Sequence, residues 1–538
     1  MIALLLALVL AGSQDPLAAG QAAYDEGRYA DAVAALAGPL ASAPSYEGLV
    51  TLGLAYGRLE RLPEARAAFD RAIALEPGRP EALVERGGLS FLEQHYDAAV
   101  KDLSRALELG PDDYTRDLLA ASLQLAGRSE EALAQWNRLG RPTLGTLKIT
   151  GLQHTRDSVA RRELSLQEGQ LLDLDRLRES RLRLRQVGVF DRVTLRPLPL
   201  GNGVADLEVA LAERHGLYRS RLGFLVGSGV QALQGRVRLE YANLGGSGAS
   251  FGGQYRWQEN RPEGSLALSW PRPLGLAAYV SLSASRGRQA YEVEGDAFVR
   301  RYRGLELEAR HVLGARTLGR LALRVRDRSF SEPRPDAPPG VLSGLEVGLD
   351  RDLVDARRQR LDLSLGFFQS ATALGSVVTY PRGVAILASR THLSPPDGSA
   401  LEPSVLAARL LWARGGENMP IDDMFAPGGG PDMELPLRAH RQTPEGILGP
   451  TPLGRSLVLG NLEWRKRVLD RSPVQAAVVA FVDAARVADG PQPGVTSLVD
   501  VGVGFHLSLV GSGILRFDYG HGLRDGRNAF FVGLGEVF

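Results

Sequence analysis

The chain has 538 residues, 44% of them hydrophobic, and its 63 basic and 62 acidic side chains leave a formal net charge of +1. Such a length fits two to four domains, and the balanced charge gives no whole-chain argument for nucleic acid or an acidic substrate. There is no cysteine, which excludes thiolate catalysis, disulfides and Cys-ligated zinc.

The chain opens with "MIALLLALVLAGSQDP". The apolar run from Ile2 to Ala11 fits a signal-peptide core, and Ala11 and Ser13 make a small-x-small cleavage site before Gln14. Residues 1–13 are therefore expected to be a signal peptide. The run is too short to cross a bilayer as a helix, and no later segment approaches the roughly eighteen apolar residues a spanning helix needs. Strands closed into a barrel are the other way to cross a membrane.

Residues 14–141 are rich in alanine and leucine with helical periodicity, and they repeat. Gly20, Gly53 and Gly87 lie 33 and 34 residues apart, as do Ala32, Ala65 and Ala99, and Pro44, Pro77 and Pro111. In "LGLAYGRLERLPEARAAFDRAIALEP", Leu52, Gly53, Tyr56, Ala65, Phe69, Ala72 and Pro77 fall at fixed offsets within one unit. This resembles the tetratricopeptide repeat, a helix–turn–helix whose small residues sit where paired helices cross. "DDYTRDLLAASLQLAGRSEEALAQW" resembles a capping unit. The resemblance implies a solenoid with a concave surface for a peptide or partner protein; a spacer without a ligand is the alternative.

Residues 144–213 read as strand, two helices, then two strands. Strand alternation is carried by Leu147 and Ile149, by Val193 and Leu195, and by Val204, Leu207 and Val209. Gly151, the "ARREL" segment, Gly169, and Gly188 and Phe190 in "LRQVGVFDRV" resemble the POTRA domain, the periplasmic module of outer-membrane assembly factors. In that family an exposed sheet edge receives an extended client peptide by β-augmentation.

From 214 to the end, segments of about ten residues alternate apolar and polar between Gly, Pro and Asp turns. In "RVRLEYANL" Val237, Leu239 and Tyr241 alternate with Arg236, Arg238 and Glu240, and in "RGLELEARHVL" Leu305, Leu307 and Ala309 alternate with Glu306, Glu308 and Arg310. "RLDLSLGFF" and "ILRFDYG" repeat the pattern with Leu361, Leu363, Leu365 and with Leu515, Phe517, Tyr519. Charges lining one face of strand after strand fit a transmembrane barrel of about sixteen strands, apolar to lipid and polar to the lumen. The end, "AFFVGLGEVF", sets Phe530, Val532 and Leu534 on one face and closes on Phe538. It resembles the C-terminal β-signal by which outer-membrane barrels are recognised.

No catalytic constellation stands out, and no cofactor or metal is expected. The eight histidines show neither HxxxH nor HExxH spacing. "NLGGSGASFGGQ" (243–254) lacks the Lys-Ser/Thr ending of a phosphate loop and reads as a hairpin turn, one that resembles the early "NLxGxG" turn of assembly-factor barrels. Asp422 and Asp423 are expected to be solvated charges of an extracellular loop. Strand arginines are spread over many strands, as in a lumen wall, so no nucleic-acid partner is expected.

Residues 415–455 form an inter-strand loop of about forty residues, a length at which loops are functional or disordered. Its order is "GGG" (428–430), then Leu437, Arg438, Ala439 and His440, then "GNLEWR" with Asn461, Glu463 and Arg465, and later "VAFVDAARV" with Asp483. This resembles the BamA/TamA superfamily, whose sixth extracellular loop folds into the lumen and carries a Val-Arg-Gly-aromatic motif. Here Ala439 stands for the glycine, His440 for the aromatic, and Ala485 for the glycine of an aromatic-x-Asp-x-Gly segment. Strand phase puts Val458, Leu462 and Trp464, and Val478, Ala480 and Val482, on the lipid side; Asn461, Glu463 and Asp483 then face the lumen. The resemblance implies a latch in which Glu463 and Asp483 clamp the planar guanidinium of Arg438.

The expected protein is a bacterial outer-membrane barrel with periplasmic repeats and one POTRA domain. It is expected to be non-enzymatic. The resemblance implies that it inserts or translocates client outer-membrane or secreted polypeptides, its repeats recruiting a periplasmic protein, in contact with outer-membrane lipid. Client strands would be templated at the POTRA edge and at a seam between strands near Leu217–Val226 and Asn528–Phe538. A two-partner-type secretion translocator, which usually adds a second POTRA domain and a plug helix not evident in this sequence, and a barrel-anchored binding scaffold are the alternatives.

Overall fold

The structure is a computed structural model that describes residues 15–214, 221–429, 435–471, 474–492, 494–509 and 513–535. The expected signal peptide, Gly430 and Phe538 lie outside them. Two compact units divide the chain. One holds Met1–Lys148, Leu166–Leu174 and Leu195–Glu208, the other Ile149–Ser165, Asp175–Thr194 and Val209–Phe538.

In the first unit, helices α1 (Pro16–Asp25), α2 (Tyr29–Leu36), α3 (Pro39–Ser42), α4 (Tyr46–Arg58), α5 (Leu62–Leu75), α6 (Glu81–Leu92), α7 (Tyr96–Leu109), α8 (Asp113–Leu125) and α9 (Ser129–Arg138) form antiparallel pairs. The repeated glycines show why. A Cβ on Gly20 would fall 2.3 Å from Leu36, one on Gly53 2.5 Å from Phe69, and one on Gly87 2.8 Å from Leu103. Each glycine thus receives the large residue sixteen positions later, where two helices cross. Ala32, Ala65 and Ala99 are fully buried at the second contact of each pair, and Pro44, Pro77 and Pro111 follow the ends of α3, α5 and α7.

The α+β module comprises β1 (Thr143–Thr150), α10 (Asp157–Arg161), α11 (Leu174–Gln186), β2 (Phe190–Gly201) and β3 (Val204–Glu213), with sheet order β1-β3-β2. Both β1 and β2 are edge strands. Leu207 and Val209 are fully buried, and Phe190, Val193 and Leu195 are buried on β2; on β1 it is Leu144, not Leu147, that points inward. Gly151 has φ +87°, and a Cβ there would lie 2.0 Å from the Leu211 carbonyl oxygen, so only glycine fits. Gly169 and Gly188 also take positive φ.

The strand-rich region begins with a departure from the expected seam. Residues 217–220 lie outside the described residues, and Arg221–Leu233 is a helix, α12, where a strand was expected over Leu217–Val226. The reason is in the pattern: Leu222, Leu225, Val226, Val230 and Leu233 recur at three- and four-residue steps, which is a helical period.

The sixteen-stranded sheet follows. Strands β4 (Arg236–Tyr241), β5 (Ser250–Arg256), β6 (Glu263–Pro271), β7 (Tyr279–Val293), β8 (Asp296–Gly314), β9 (Thr317–Phe330), β10 (Gly340–Ala356), β11 (Gln359–Ser370), β12 (Pro381–His392) and β13 (Ser404–Gly415) form an antiparallel meander. After the two-residue β14 (Ile447–Leu448), the meander continues from β13 with β15 (Ser456–Arg471), β16 (Val474–Ala488), β17 (Val495–Leu509), β18 (Gly513–Gly522) and β19 (Asn528–Leu534). Leu305, Leu307, Val458, Leu462 and Trp464 are exposed on the outer face. Glu306 instead bonds Arg324 at 2.8 Å on the inner face. Among the described residues, the two end strands β4 and β19 do not pair with each other.

Candidate functional site

The segment between β13 and β15 folds inside the strand wall, and its glycines allow this. A Cβ on Gly428 would meet Gln442 Cα at 2.6 Å, and one on Gly429 would meet the Phe531 ring of β19 at 2.4 Å. Gly429 N–H donates to the His440 carbonyl at 2.6 Å, and Gln442 N–H donates back to Gly429 at 2.9 Å. This bridge holds Leu437, Arg438, Ala439 and His440 in a buried turn. Ala439 is not among the residues with positive φ, so alanine serves where the resemblance would have glycine.

The Arg438 side chain is fully buried, as are those of Glu463 and Asp483. Its Nε and Nη2 donate to the two Asp483 oxygens at 2.8 and 2.9 Å, and its main-chain N–H adds a bond to Oδ2 at 3.1 Å. Nη1 donates to Glu463 Oε2 at 2.5 Å. Asn461 Nδ2 donates both to Asp483 and to the Pro436 carbonyl, each at 2.8 Å, which ties acid and loop together. Arg465 takes the other oxygen of Glu463. Two cations therefore face two anions, and the buried group is neutral as a whole.

Phe481 was not singled out from the sequence. Its ring lies 3.4 Å from the guanidinium carbon of Arg438 and supplies the apolar face of the cage. Only the aromatic-x-Asp spacing pointed to it.

His440 fills the aromatic's place with a polar bridge. Its Nδ1 lies 2.9 Å from Asp500 on β17, and its Nε2 lies 2.8 Å from Asp525 in the β18–β19 turn. Ala439 N–H also donates to Asp500 at 2.6 Å.

Asp422 and Asp423 are not the solvated loop charges expected from the sequence. The Asp422 side chain is fully buried and accepts from Arg328 at 2.7 Å and from Arg300 at 3.1 Å. Asp423 accepts from the Tyr380 hydroxyl at 2.6 Å. Both acids sit in the 3-10 turn Ile421–Asp423, whose buried Ile421 brings them to arginines of β8 and β9. Ile447 and Leu448 then pair in parallel with Ala290 and Tyr291 of β7. One loop thus makes polar contacts with β7–β9 and Tyr380 and with β15–β19, while its Met419, Phe425 and Leu437 pack with Leu342 of β10, Phe368 of β11 and Leu411 of β13.

At the other end of the strands, Glu213 accepts main-chain N–H bonds from Gln153, His154 and Thr155 at 3.1, 2.9 and 2.7 Å. Burial pushes its carboxyl up, but the Thr155 hydroxyl and these N–H groups outweigh that and hold it down at about 2. Asn243 of the β4–β5 turn reaches Thr155 Oγ1 at 2.8 Å, and Gly246 receives the Arg156 N–H at 3.0 Å. Tyr279 donates to Glu163 at 2.5 Å.

Helix α12 and Gln234, the residue that follows it, bond both end strands. Gln231 Oε1 accepts the Arg238 N–H of β4 at 2.6 Å, and Gln234 Nε2 donates to the Val532 carbonyl of β19 at 3.1 Å. Phe530 is exposed on β19, and Val532 and Leu534 are half-buried.

Comparison with known proteins agrees with this architecture. The tetratricopeptide repeat family matches residues 17–80 and 50–114, and the POTRA family, surface antigen variable number repeat, matches 142–214. A stretch of 155 residues is 32% identical to the outer membrane protein assembly factor BamA of Neisseria meningitidis serogroup B. The chain thus carries tetratricopeptide repeats and a POTRA domain and is similar to barrel proteins of the BamA/TamA type. The BamA match covers 28% of this chain and 18% of the relative, so the chain spans under a fifth of that protein. CdiB from Escherichia coli shares the fold, with a TM-score of 0.53 at 14% identity over 73% of this chain and 75% of CdiB. BamA from Haemophilus ducreyi lacking POTRA domains 1–3 aligns over 72% of this chain and 83% of its own, with 14% identity and a TM-score of 0.42.

Proposed function

We propose that the protein is a non-enzymatic assembly or translocation factor of the bacterial outer membrane, with its repeats and POTRA domain in the periplasm. Client polypeptides are threaded as extended strands, first along the open edge of β2 and then at the seam between β4 and β19. The observation that carries this reading is that, among the described residues, the two end strands β4 and β19 do not pair with each other. Unpaired N–H and C=O groups are a template for another strand.

Helix α12 acts as a placeholder at that seam. Gln231 and Gln234 satisfy one main-chain group on each end strand, the kind of group a client strand would take over. Arg438, Glu463 and Asp483 form a latch that keeps the loop inside the barrel. With Asp422 and Asp423 on the opposite stretch, the loop braces the wall, so that opening is confined to the seam. The repeat array recruits a periplasmic protein that delivers the client.

A secretion translocator is the second reading, favoured by the shared fold with CdiB. Proteoliposomes separate the readings. Accelerated folding of an unfolded barrel client supports insertion, and export or a large conductance supports translocation. Neither outcome would leave only a barrel-anchored scaffold.

A further inference from the structure

The outer wall carries a basic cluster that neither the latch nor the seam uses. Arg286 lies directly opposite Arg303 across β7 and β8, and Arg288 lies opposite Arg301. All four are exposed and share the outward face with Leu282, Leu305 and Leu307. Like charges set opposite one another across a sheet are destabilising, because their Cβ atoms stand only about 5 Å apart. Two such pairs in succession make a square of four cations.

Neighbouring acids do not neutralise it. Among the described residues, Arg286, Arg301 and Arg303 have no ion pair, and Arg288 donates to the Glu259 carbonyl at 2.6 Å. Asp327 faces Arg303 from β9 and is the acid nearest in register. The arginines, Asp327 and Tyr255 line a pocket of about 650 Å³.

Position along the strand says what the cluster meets. Tyr279, at the start of β7, is bonded to the POTRA domain. Arg286 and Arg288 lie seven and nine residues further on, roughly 18–23 Å along the barrel axis for a tilted strand. The apolar band of such a barrel is about 25 Å tall, so the cluster stands at its far rim. Tyr255 and Trp257, both exposed, lie at the same rim, where aromatic girdles occur.

We propose that Arg286, Arg288, Arg301 and Arg303 bind the phosphate groups of a lipid headgroup in the leaflet facing away from the POTRA domain. This rests on the membrane placement proposed above. Planar guanidinium groups bind phosphate oxygens in pairs, and the anion relieves the repulsion between the facing arginines. A phosphorylated glycolipid and an anionic phospholipid both offer that chemistry.

Native mass spectrometry of the full-length protein in detergent tests this with three probes: phosphorylated lipid A, its dephosphorylated form, and phosphatidylglycerol. Retention of lipid A about tenfold above the dephosphorylated form is expected, a difference of about 1.4 kcal/mol. Replacing all four arginines with glutamine should abolish the difference. Equal retention of phosphatidylglycerol would identify a phosphate site open to both sources, and weaker retention would identify the glycolipid. Asp327→Asn removes a repelling carboxylate and should raise retention, which keeps the test decisive should the fourfold variant not fold. Retention that ignores the phosphates, or that neither variant alters, would overturn the proposal. No client is present, so failure here is separable from failure of the folding assay.

Discussion

The Arg438 carbonyl passes directly over Gly520 of β18, where a Cβ would fall 2.5 Å from its oxygen. The loop therefore depends on a missing side chain as well as on charge. Gly520→Ala should lower barrel stability by about 1–3 kcal/mol, as overpacking does in a close contact. Gly460→Ala, where nothing lies within 4 Å of the added atom, should be close to neutral. Unfolding midpoints of the two variants in detergent check the contrast.

Arg438→Ala leaves Glu463 and Asp483 buried with one cation fewer, and should destabilise the barrel by about 3–5 kcal/mol. Arg438→Lys keeps the charge but loses the paired bonds to Asp483 and should recover only part of that loss. Arg438→Glu should be worse than either. Barrel folding and client assembly that survive both the Ala and Glu changes would remove the latch from the account.

Asp422 and Arg328 offer a second, independent test of the brace. A double-mutant cycle with Asp422→Asn and Arg328→Gln should give a coupling of roughly 0.5–3 kcal/mol, the range for residues sharing one network. The same cycle between Asp422 and Asp483, on different stretches of the wall, measures whether the loop couples them. Additive effects in the second cycle would mean that the two anchors act separately.

The Glu213 carboxyl is held at about 2, below the ordinary carboxylate value of about 4.3. A depressed value in the folded state means a contribution present above that ordinary value and lost as pH falls toward 2. Wild type should therefore exceed Glu213→Gln in thermal stability at neutral pH. The gap should shrink steadily between about pH 4 and pH 2. A gap independent of pH would assign the effect to packing.

Much of the fold was legible because periodicity survives folding. The 33- and 34-residue spacing of Gly20, Gly53 and Gly87 reported helix crossings, and alternation in "RGLELEARHVL" reported a wall with two faces. Strand phase put Asn461, Glu463 and Asp483 on the inner side, where the structure has them. Pairing across distant segments was not legible. Nothing near "PIDDMF" names Arg328 or Arg300, so Asp422 and Asp423 read as surface charge. The strand expected over Leu217–Val226 came from the seam that the resemblance implies, although the leucine and valine spacing of "RLGFLVGSGVQAL" is helical. Phe481 went unremarked because stacking on Arg438 is a tertiary contact between residues 43 apart in sequence.

The absence of cysteine permits the most direct test of the central claim, that client strands enter at the seam. Single cysteines at Val237 on β4, at Phe530 on β19 and, as control, at Leu365 on the outer face of β11 would be cross-linked to a client stalled during assembly. The account expects client adducts at Val237 and Phe530 and none above background at Leu365. Adducts spread evenly over the three positions, or absent from both seam strands while the client still assembles, would contradict it.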